Sequence, residues 1–274
     1  MLSGYICRSE VWYIRDFISR NKAEHQVGFD TLVIIWIVVA IVVFPIAIKQ
    51  KAPYGRHTRS GWGPMIDNRM AWIIMELPAL IVLPLWLLTS EGDITKPVWI
   101  MVALFMLHYT NRVLIFPLRI RTKGKKMPLS IAAMAFAFNL INGSVLGYYF
   151  AHGAAYADSW LWDPRFLTGL VLFLLGAYIN QRSDHLLIHL RKPGETGYKI
   201  PRGFLFDYIS CPNHFGEIVE WIGFAVMTWA LPGVSFAIWT AANLVPRTLN
   251  HHQWYKERFS DYPSERKAVV PHML

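Results

Sequence analysis

Seven times along this chain a run of about twenty residues is apolar enough to leave water, and nothing else in the sequence constrains the fold as strongly. The runs lie at roughly 31–48, 70–89, 97–118, 128–150, 166–189, 209–229 and 231–254. In lipid every backbone polar group must be satisfied within its own segment, so runs of this length form helices. The expected fold is therefore an all-α integral membrane protein, a seven-transmembrane helix bundle occupying residues 1–274 as a single membrane domain. Charged residues make up 16% of the chain, against about 25% in soluble domains.

The charges between the runs test that count. Lys49, Lys51, Arg56, Arg59 and Arg69 crowd the first loop, while Glu91, Asp93 and Lys96 occupy the second. The third loop is basic again, with Arg119, Arg121, Lys123, Lys125 and Lys126, and the fourth carries Asp158, Asp163 and Arg165. Arg191, Lys192, Lys199 and Arg202 fill the fifth, and the tail holds Lys256, Arg258, Arg266 and Lys267. Basic and non-basic loops alternate, as cytoplasmic lysine and arginine require for an N-terminus outside and a C-terminus in the cytoplasm. The net charge of +9 then belongs to the cytoplasmic face and gives no reason to expect nucleic acid.

The last two runs are expected to meet at a tight turn, Leu231-Pro232-Gly233. The first 30 residues mix charged and apolar residues without a cleavage site, so no signal peptide is expected. Cys7 and Cys211 form no CxxC pair, so neither a disulfide framework nor a thiolate metal site is indicated. His185 and His189 have ligand spacing without an HExxH motif, His251-His252 is an equally weak pair, and no metal is expected. Asn142-Gly143-Ser144 matches a glycosylation sequon inside a span, where it is inert. Neither GxGxxG nor a P-loop occurs.

Ionisable groups inside spans are costly and are functional candidates by default. Glu76 lies in the second span. In an apolar site its carboxyl is expected to stay protonated and donate a hydrogen bond. The third span ends in His108-Tyr109-Thr110-Asn111-Arg112. Tyr109 can donate without burying a charge, although tyrosine is also common at membrane interfaces. Arg112 has a second reading as a side chain reaching toward the basic loop.

Three later spans each carry a polar stripe. Asn180 and Asp184 share a face of the fifth, as do Asn213, Glu217 and Glu220 on the sixth. On the seventh, Arg247, His251 and Tyr255 recur every four residues, one turn beyond Asn243. Lipid would penalise each stripe, so they are expected to face one another around a cavity. Arg191, Lys192 and Tyr198 lie in the loop between two of these helices. A phosphorylated cofactor suits acids, amides and arginines near the basic end, because arginine binds phosphate as a fork.

Taken in order, these segments resemble the steroid 5α-reductase family of membrane enzymes. The similarity runs through Asn180-Gln181-Arg182-Ser183-Asp184, Leu190-Arg191-Lys192-Pro193-Gly194-Glu195 and Tyr198-Lys199-Ile200-Pro201. It continues at Asn213, Gly216-Glu217, Glu220-Trp221-Ile222-Gly223, Arg247, His251-His252, Tyr255 and Asp261-Tyr262-Pro263. Upstream, Tyr54-Gly55-Arg56-His57, Glu76-Leu77-Pro78 and His108-Tyr109 with Arg112 match as well, so the resemblance covers roughly residues 50–274. One position departs: the family's glutamine before the glutamate is Met75 here, which removes an amide from the substrate end.

The resemblance implies NADPH-dependent reduction of the C4–C5 double bond of 3-oxo-Δ4-steroids. Residues 50–118 would supply substrate-side helices and residues 166–274 the NADPH-binding half. Carried over, Asn180, Asp184, Arg191, Tyr198, Asn213, Glu217, Arg247, His251 and Tyr255 would line the cofactor. Met75, Glu76, Tyr109 and Trp221 would form the substrate pocket, with Glu76 and Tyr109 catalytic at the 3-oxo group. The steroid would enter from the bilayer and NADPH from the cytoplasm, without an obligate protein partner. Bacterial inner membrane and endoplasmic reticulum fit equally. The rival readings are a related enoyl-thioester or polyprenal reductase, a methyltransferase using S-adenosylmethionine, and a proton-coupled transporter. Methyl transfer needs no ketone-binding pair, and transport would be expected to leave an inverted repeat, which is not evident.

Overall fold

A computed structural model describes residues 8–59, 61–122, 124–192, 194–195 and 197–273, with side chains from residue 24 onward. Cys7, Lys123, Pro193 and Thr196 lie outside the described residues. The chain is mostly helical. Its helices are α1 (Arg8–Lys49), α2 (Asn68–Leu87), α3 (Lys96–Thr110), α4 (Phe116–Arg119), α5 (Leu129–Tyr148), α6 (Pro164–His189), α7 (Pro212–Thr228) and α8 (Leu231–Arg258). A π-helical segment, Asn111–Ile115, fuses α3 to α4, and another, Tyr149–Gly153, extends α5.

Among the described residues four segments are long and apolar enough to cross a membrane: Glu24–Lys49, Asn68–Leu87, Lys96–Arg119 and Leu129–Gly153. α1 shows why lipid is their medium. It buries Val33 and Ala40 against its neighbours, yet leaves Leu32, Ile34, Ile35, Val38, Ile41, Val42 and Ile46 exposed. A soluble protein does not present such a continuous apolar face.

The helices pack mainly in pairs, α6 with α7, α2 with α5, and α1 and α7 with α8. Glycine explains the tightest of these. Gly169 and Gly176 of α6 lie against the backbone of Met227 and Glu220, while Gly216 and Gly223 of α7 lie against that of Asn180 and Phe173. A Cβ at any of the four would collide with the other helix's main chain. Small residues of this kind let membrane helices approach until their backbones touch. On α5, Gly143 and Gly147 similarly admit Val82 and Trp86 of α2.

Each helix start has a local cause. Asp67 caps α2 by accepting from the N–H groups of Arg69 at 2.8 Å and Met70 at 3.2 Å. Asp163 caps α6 through the Arg165 N–H at 2.9 Å, and Pro164 follows it, where a missing N–H costs nothing. Outside the helix, the Arg165 guanidinium also grips Asp163 and holds its carboxyl down to about 2. Strands β1 (Met65–Asp67) and β2 (Lys126–Pro128) pair antiparallel, Met65 with Pro128 and Asp67 with Lys126, and tie the starts of α2 and α5 together.

The loops sort to two ends. The basic ones meet: Arg69 donates to the Ile120 carbonyl at 3.1 Å, Arg121 to that of Arg191 at 2.9 Å, and Lys125 to the Tyr198 hydroxyl at 3.0 Å. Opposite them, Lys96 pairs with Asp158 at 2.9 Å and Thr89 with His152 at 3.1 Å. One expectation is corrected. The turn between α7 and α8 falls at Trp229, which is left-handed with φ 44°, and Ala230. Leu231-Pro232-Gly233 is instead the first turn of α8, where proline needs no donor and Gly233 fits beside Ala225.

Candidate active site

Two cavities adjoin inside the bundle. The larger, about 350 Å³, is lined by α1, α2, α5, α7 and α8 together with Tyr109 and Arg112. Met75, Glu76, Tyr109 and Trp221 all face it, as do Glu217 and Arg247. The smaller, about 230 Å³, opens among the basic loops and is lined by Tyr54, Arg56, His57, Lys125, Tyr198, Arg247 and His251. Among the described residues no acid lines it, whereas Tyr54 and Arg247 line both. The Arg247 guanidinium sits 4.9 Å from the Tyr54 ring centroid, at the junction.

Within the larger cavity, Glu76 accepts from Asn139 Nδ2 at 3.1 Å. Tyr109 is held by aromatic contacts, 4.7 Å from Phe105 and 5.1 Å from His108 between ring centroids. Beneath it, His108 Nδ1 meets Glu220 Oε1 at 2.8 Å, both side chains being buried. Breaking such a pair leaves one charge or polar group without a partner in apolar surroundings, at a cost of about 3–5 kcal/mol.

The polar stripes of α6 and α7 do face each other. Asn180 Nδ2 donates to the Asn213 carbonyl at 3.0 Å and to Glu217 Oε2 at 3.2 Å, and Asn213 Nδ2 donates to Asp184 Oδ1 at 3.1 Å. The glycine contacts make these short bonds feasible, because Asn180 and Gly216 touch through backbone. Arg112 joins from the π-helical turn, 3.6 Å from Asp184 and 4.0 Å from Glu217. Its guanidinium also lies 4.9 Å from both the Trp72 and Phe116 rings, and its side chain is 12% exposed. The snorkelling reading of Arg112 is thus replaced by an inward one: two carboxylates and two aromatic faces hold it better than a loop would.

Tyr198, Arg247 and His251 gather at the smaller cavity, and Tyr255 is buried behind it. Arg191 lines neither cavity; its Nη1 donates to the Gly197 carbonyl at 3.0 Å and braces its own loop. Glu220 points to His108 rather than to Glu217's neighbours. His251 faces His57, Nδ1 to Nε2 at 3.3 Å, while His252 turns away to Ser210 at 2.6 Å. His185 and His189 stack on α6 with ring centroids 4.2 Å apart. Among the described residues no group of three or more histidines, cysteines or acids has the arrangement of a metal site. Asn142 of the sequon is buried and accepts from Trp36 Nε1 at 3.1 Å.

Arg56 and His57 were legible as part of a shared motif but were not assigned to the site. Arg56 is central to it: its guanidinium lies 4.7 Å from both the Trp254 and Tyr255 rings and 5.6 Å from Tyr198. Its Nη2 donates to the Tyr255 hydroxyl at 3.4 Å, and its Nη1 is buried with no partner among the described residues. An unpaired guanidinium nitrogen in an acid-free cavity is suited to an anion. Burial, then the Arg56 charge, lowers the His57 imidazole below its usual range, so it is neutral near pH 7. Asn139 is a further site residue that sequence reasoning does not single out; its signal is one of two amides, with Asn142, in an otherwise largely apolar run.

The profile of the family described as 3-oxo-5-alpha-steroid 4-dehydrogenase matches residues 125–274. The chain is 45% identical to 3-oxo-5-alpha-steroid 4-dehydrogenase 1 of Bos taurus over 250 residues, 89% of this chain and 96% of that one. It is 44% identical to the Homo sapiens protein of the same name over 239 residues, 86% and 92% of the two chains. Steroid 5-alpha-reductase DET2 of Gossypium hirsutum is 42% identical over 255 residues, 91% and 98% of the two chains. The chain belongs to the 3-oxo-5-alpha-steroid 4-dehydrogenase family of oxidoreductases.

Proposed function

We propose that this protein uses NADPH to reduce the C4–C5 double bond of 3-oxo-Δ4-steroids, giving 5α-reduced 3-oxo-steroids. The observation that carries this reading is the adjacency of the two cavities. One is largely apolar and holds Glu76 and Tyr109; the other is basic and acid-free, and Arg247 and Tyr54 line both. The curated relatives named above act on 3-oxo-steroids by name.

The residues suit the cofactor. Arg56, with its unpartnered Nη1, and Arg247 would hold phosphate, with Lys125, Tyr198 and His251 beside them. Asn180, Asp184, Asn213 and Glu217, tied to Arg112, would border the nicotinamide end, and Tyr255 supports Arg56 from behind. When bound, NADPH supplies the hydride that reduces the double bond.

Everything else falls to the chain. A steroid ketone in the larger cavity would present its 3-oxo oxygen to Glu76 and Tyr109. Negative charge collects on that oxygen as the β-carbon is reduced. Donors fixed beforehand in a dry pocket stabilise it more in the transition state than in the ground state. A protonated Glu76 and the Tyr109 hydroxyl are such donors. The α-carbon then takes a proton from water or from Tyr109. His108 and Glu220 fix the ring of Tyr109 from below and do not touch substrate.

In the membrane, all seven helical segments would span, with the basic end cytoplasmic. NADPH would enter there, and the steroid would arrive through the bilayer. Nucleotide binding tests the reading: the purified protein should bind NADPH more tightly than NADH, and Arg56→Ala or Arg247→Ala should weaken it. Equal affinity for both nucleotides, unchanged by either substitution, would contradict it.

A further inference from the structure

We infer that Asn139, on α5, is the positioning residue that aims the Glu76 carboxyl at the substrate carbonyl, beside a Met75 that offers no side-chain donor of its own. The inference rests on the steroid-reductase reading of the larger cavity.

Asn139 is a buried amide on a helix whose other buried residues are small or apolar apart from Asn142. Its orientation is fixed by chemistry. Nδ2 lies 2.7 Å from the Met75 carbonyl oxygen and 3.1 Å from Glu76 Oε2. A carbonyl oxygen only accepts, so the NH2 end of the amide must face α2, and its two hydrogens serve the two oxygens. One bond anchors the amide to the backbone; the other occupies Glu76 Oε2. The carboxyl proton is thereby directed to Oε1, the oxygen left to donate into the cavity that both side chains line.

The helix pair is built for this reach. Asn139, Gly143 and Gly147 recur every four residues and share the α5 face against α2. A Cβ on Gly147 would meet Trp86 at 2.8 Å, and one on Gly143 would meet Val82 at 3.3 Å. That closeness lets a side chain as short as asparagine touch the α2 main chain. Pro78 lacks an N–H, so the carbonyl of Ile74, one residue before Met75, loses its helical donor. Met75 brings no side-chain hydrogen-bond donor, and the bond to Glu76 Oε2 comes from α5.

A double-mutant cycle with a rescue arm tests the assignment. In the full-length detergent-purified enzyme, Asn139→Leu should lower kcat on a 3-oxo-Δ4-steroid by about tenfold or more while leaving NADPH affinity within about twofold. In a Glu76→Ala background the same change should cost nothing further, because the residue acts through Glu76. Adding Met75→Gln to Asn139→Leu should restore most of the lost turnover. Equal losses with and without Glu76, or no loss at all, would overturn the inference. NADPH binding reports folding; if Asn139→Leu fails to bind, Asn139→Ser, which keeps polarity but loses reach, is judged by the same criteria. A wild-type enzyme inactive on every 3-oxo-Δ4-steroid contradicts the proposed function, whereas an active wild type with unaffected Asn139 variants contradicts this assignment alone.

Discussion

The two sides of the site are built on different principles. On the α6–α7 side, four glycines bring backbones into contact, and Asn180, Asp184, Asn213, Glu217 and Arg112 form a closed polar network. On the α2–α5 side, those two helices give the larger cavity one carboxyl, Glu76, and one amide, Asn139, among apolar side chains. The first arrangement is rigid and densely charged, which suits a fixed nucleotide. The second spends few polar groups and lets shape receive an apolar ligand. The contrast teaches that position matters more than number at the carbonyl end, whereas at the nucleotide end charge is shared among many groups.

The largest way to break the contrast is through the glycine contact. Gly176→Val would drive a branched side chain into the backbone of Glu220. Overpacking with no room to yield should cost more than about 4 kcal/mol, enough to lose the fold. Size-exclusion of the detergent-solubilised variant checks this; a monodisperse, NADPH-binding Gly176→Val would show that the close approach is dispensable.

Next comes the carbonyl end. Glu76→Ala and Tyr109→Phe should each lower kcat by about 100-fold, the size expected for removing a preorganised donor. NADPH affinity should change little in either. Loss of cofactor affinity to the same degree would place both residues on the nucleotide side and dissolve the contrast.

Arg56→Ala should weaken NADPH about 10- to 100-fold, since a charge-assisted bond to phosphate and its aromatic bed both go. Isothermal titration distinguishes this from a kcat effect. Smallest is His57. Burial and Arg56 keep its folded-state pKa below the unfolded value near 6.5. The stability it contributes is therefore complete above about pH 6.5 and falls away as pH drops toward the folded value. His57→Gln should flatten melting temperature against pH between 7 and 5; an unchanged slope would remove His57 from the account.

Much of this was legible in the sequence because lipid makes its demands strict. Helices were forced wherever apolar runs were long, and i, i+4 stripes on α6, α7 and α8 pointed to a shared interior. Other features were hidden for definite reasons. Glycines seven apart on two different helices signal nothing until the helices are paired. Arg112 allows an inward and a loop-directed reading in the sequence; in the structure it lies in a π-helical turn and faces inward to Asp184. The α7–α8 turn was misplaced because proline and glycine mark a helix start as readily as a break. Asn139 is hidden because, beside Asn142, it forms no ionisable stripe of the kind that marks α6, α7 and α8.

The most direct test is turnover of a 3-oxo-Δ4-steroid by the detergent-purified enzyme with NADPH, the product read by mass spectrometry and its C5 configuration determined. The account predicts a gain of two hydrogens with 5α geometry, strongly reduced in Glu76→Ala. A protein that binds NADPH yet leaves every 3-oxo-Δ4-steroid unchanged, while reducing an enoyl thioester or a polyprenal, would contradict it.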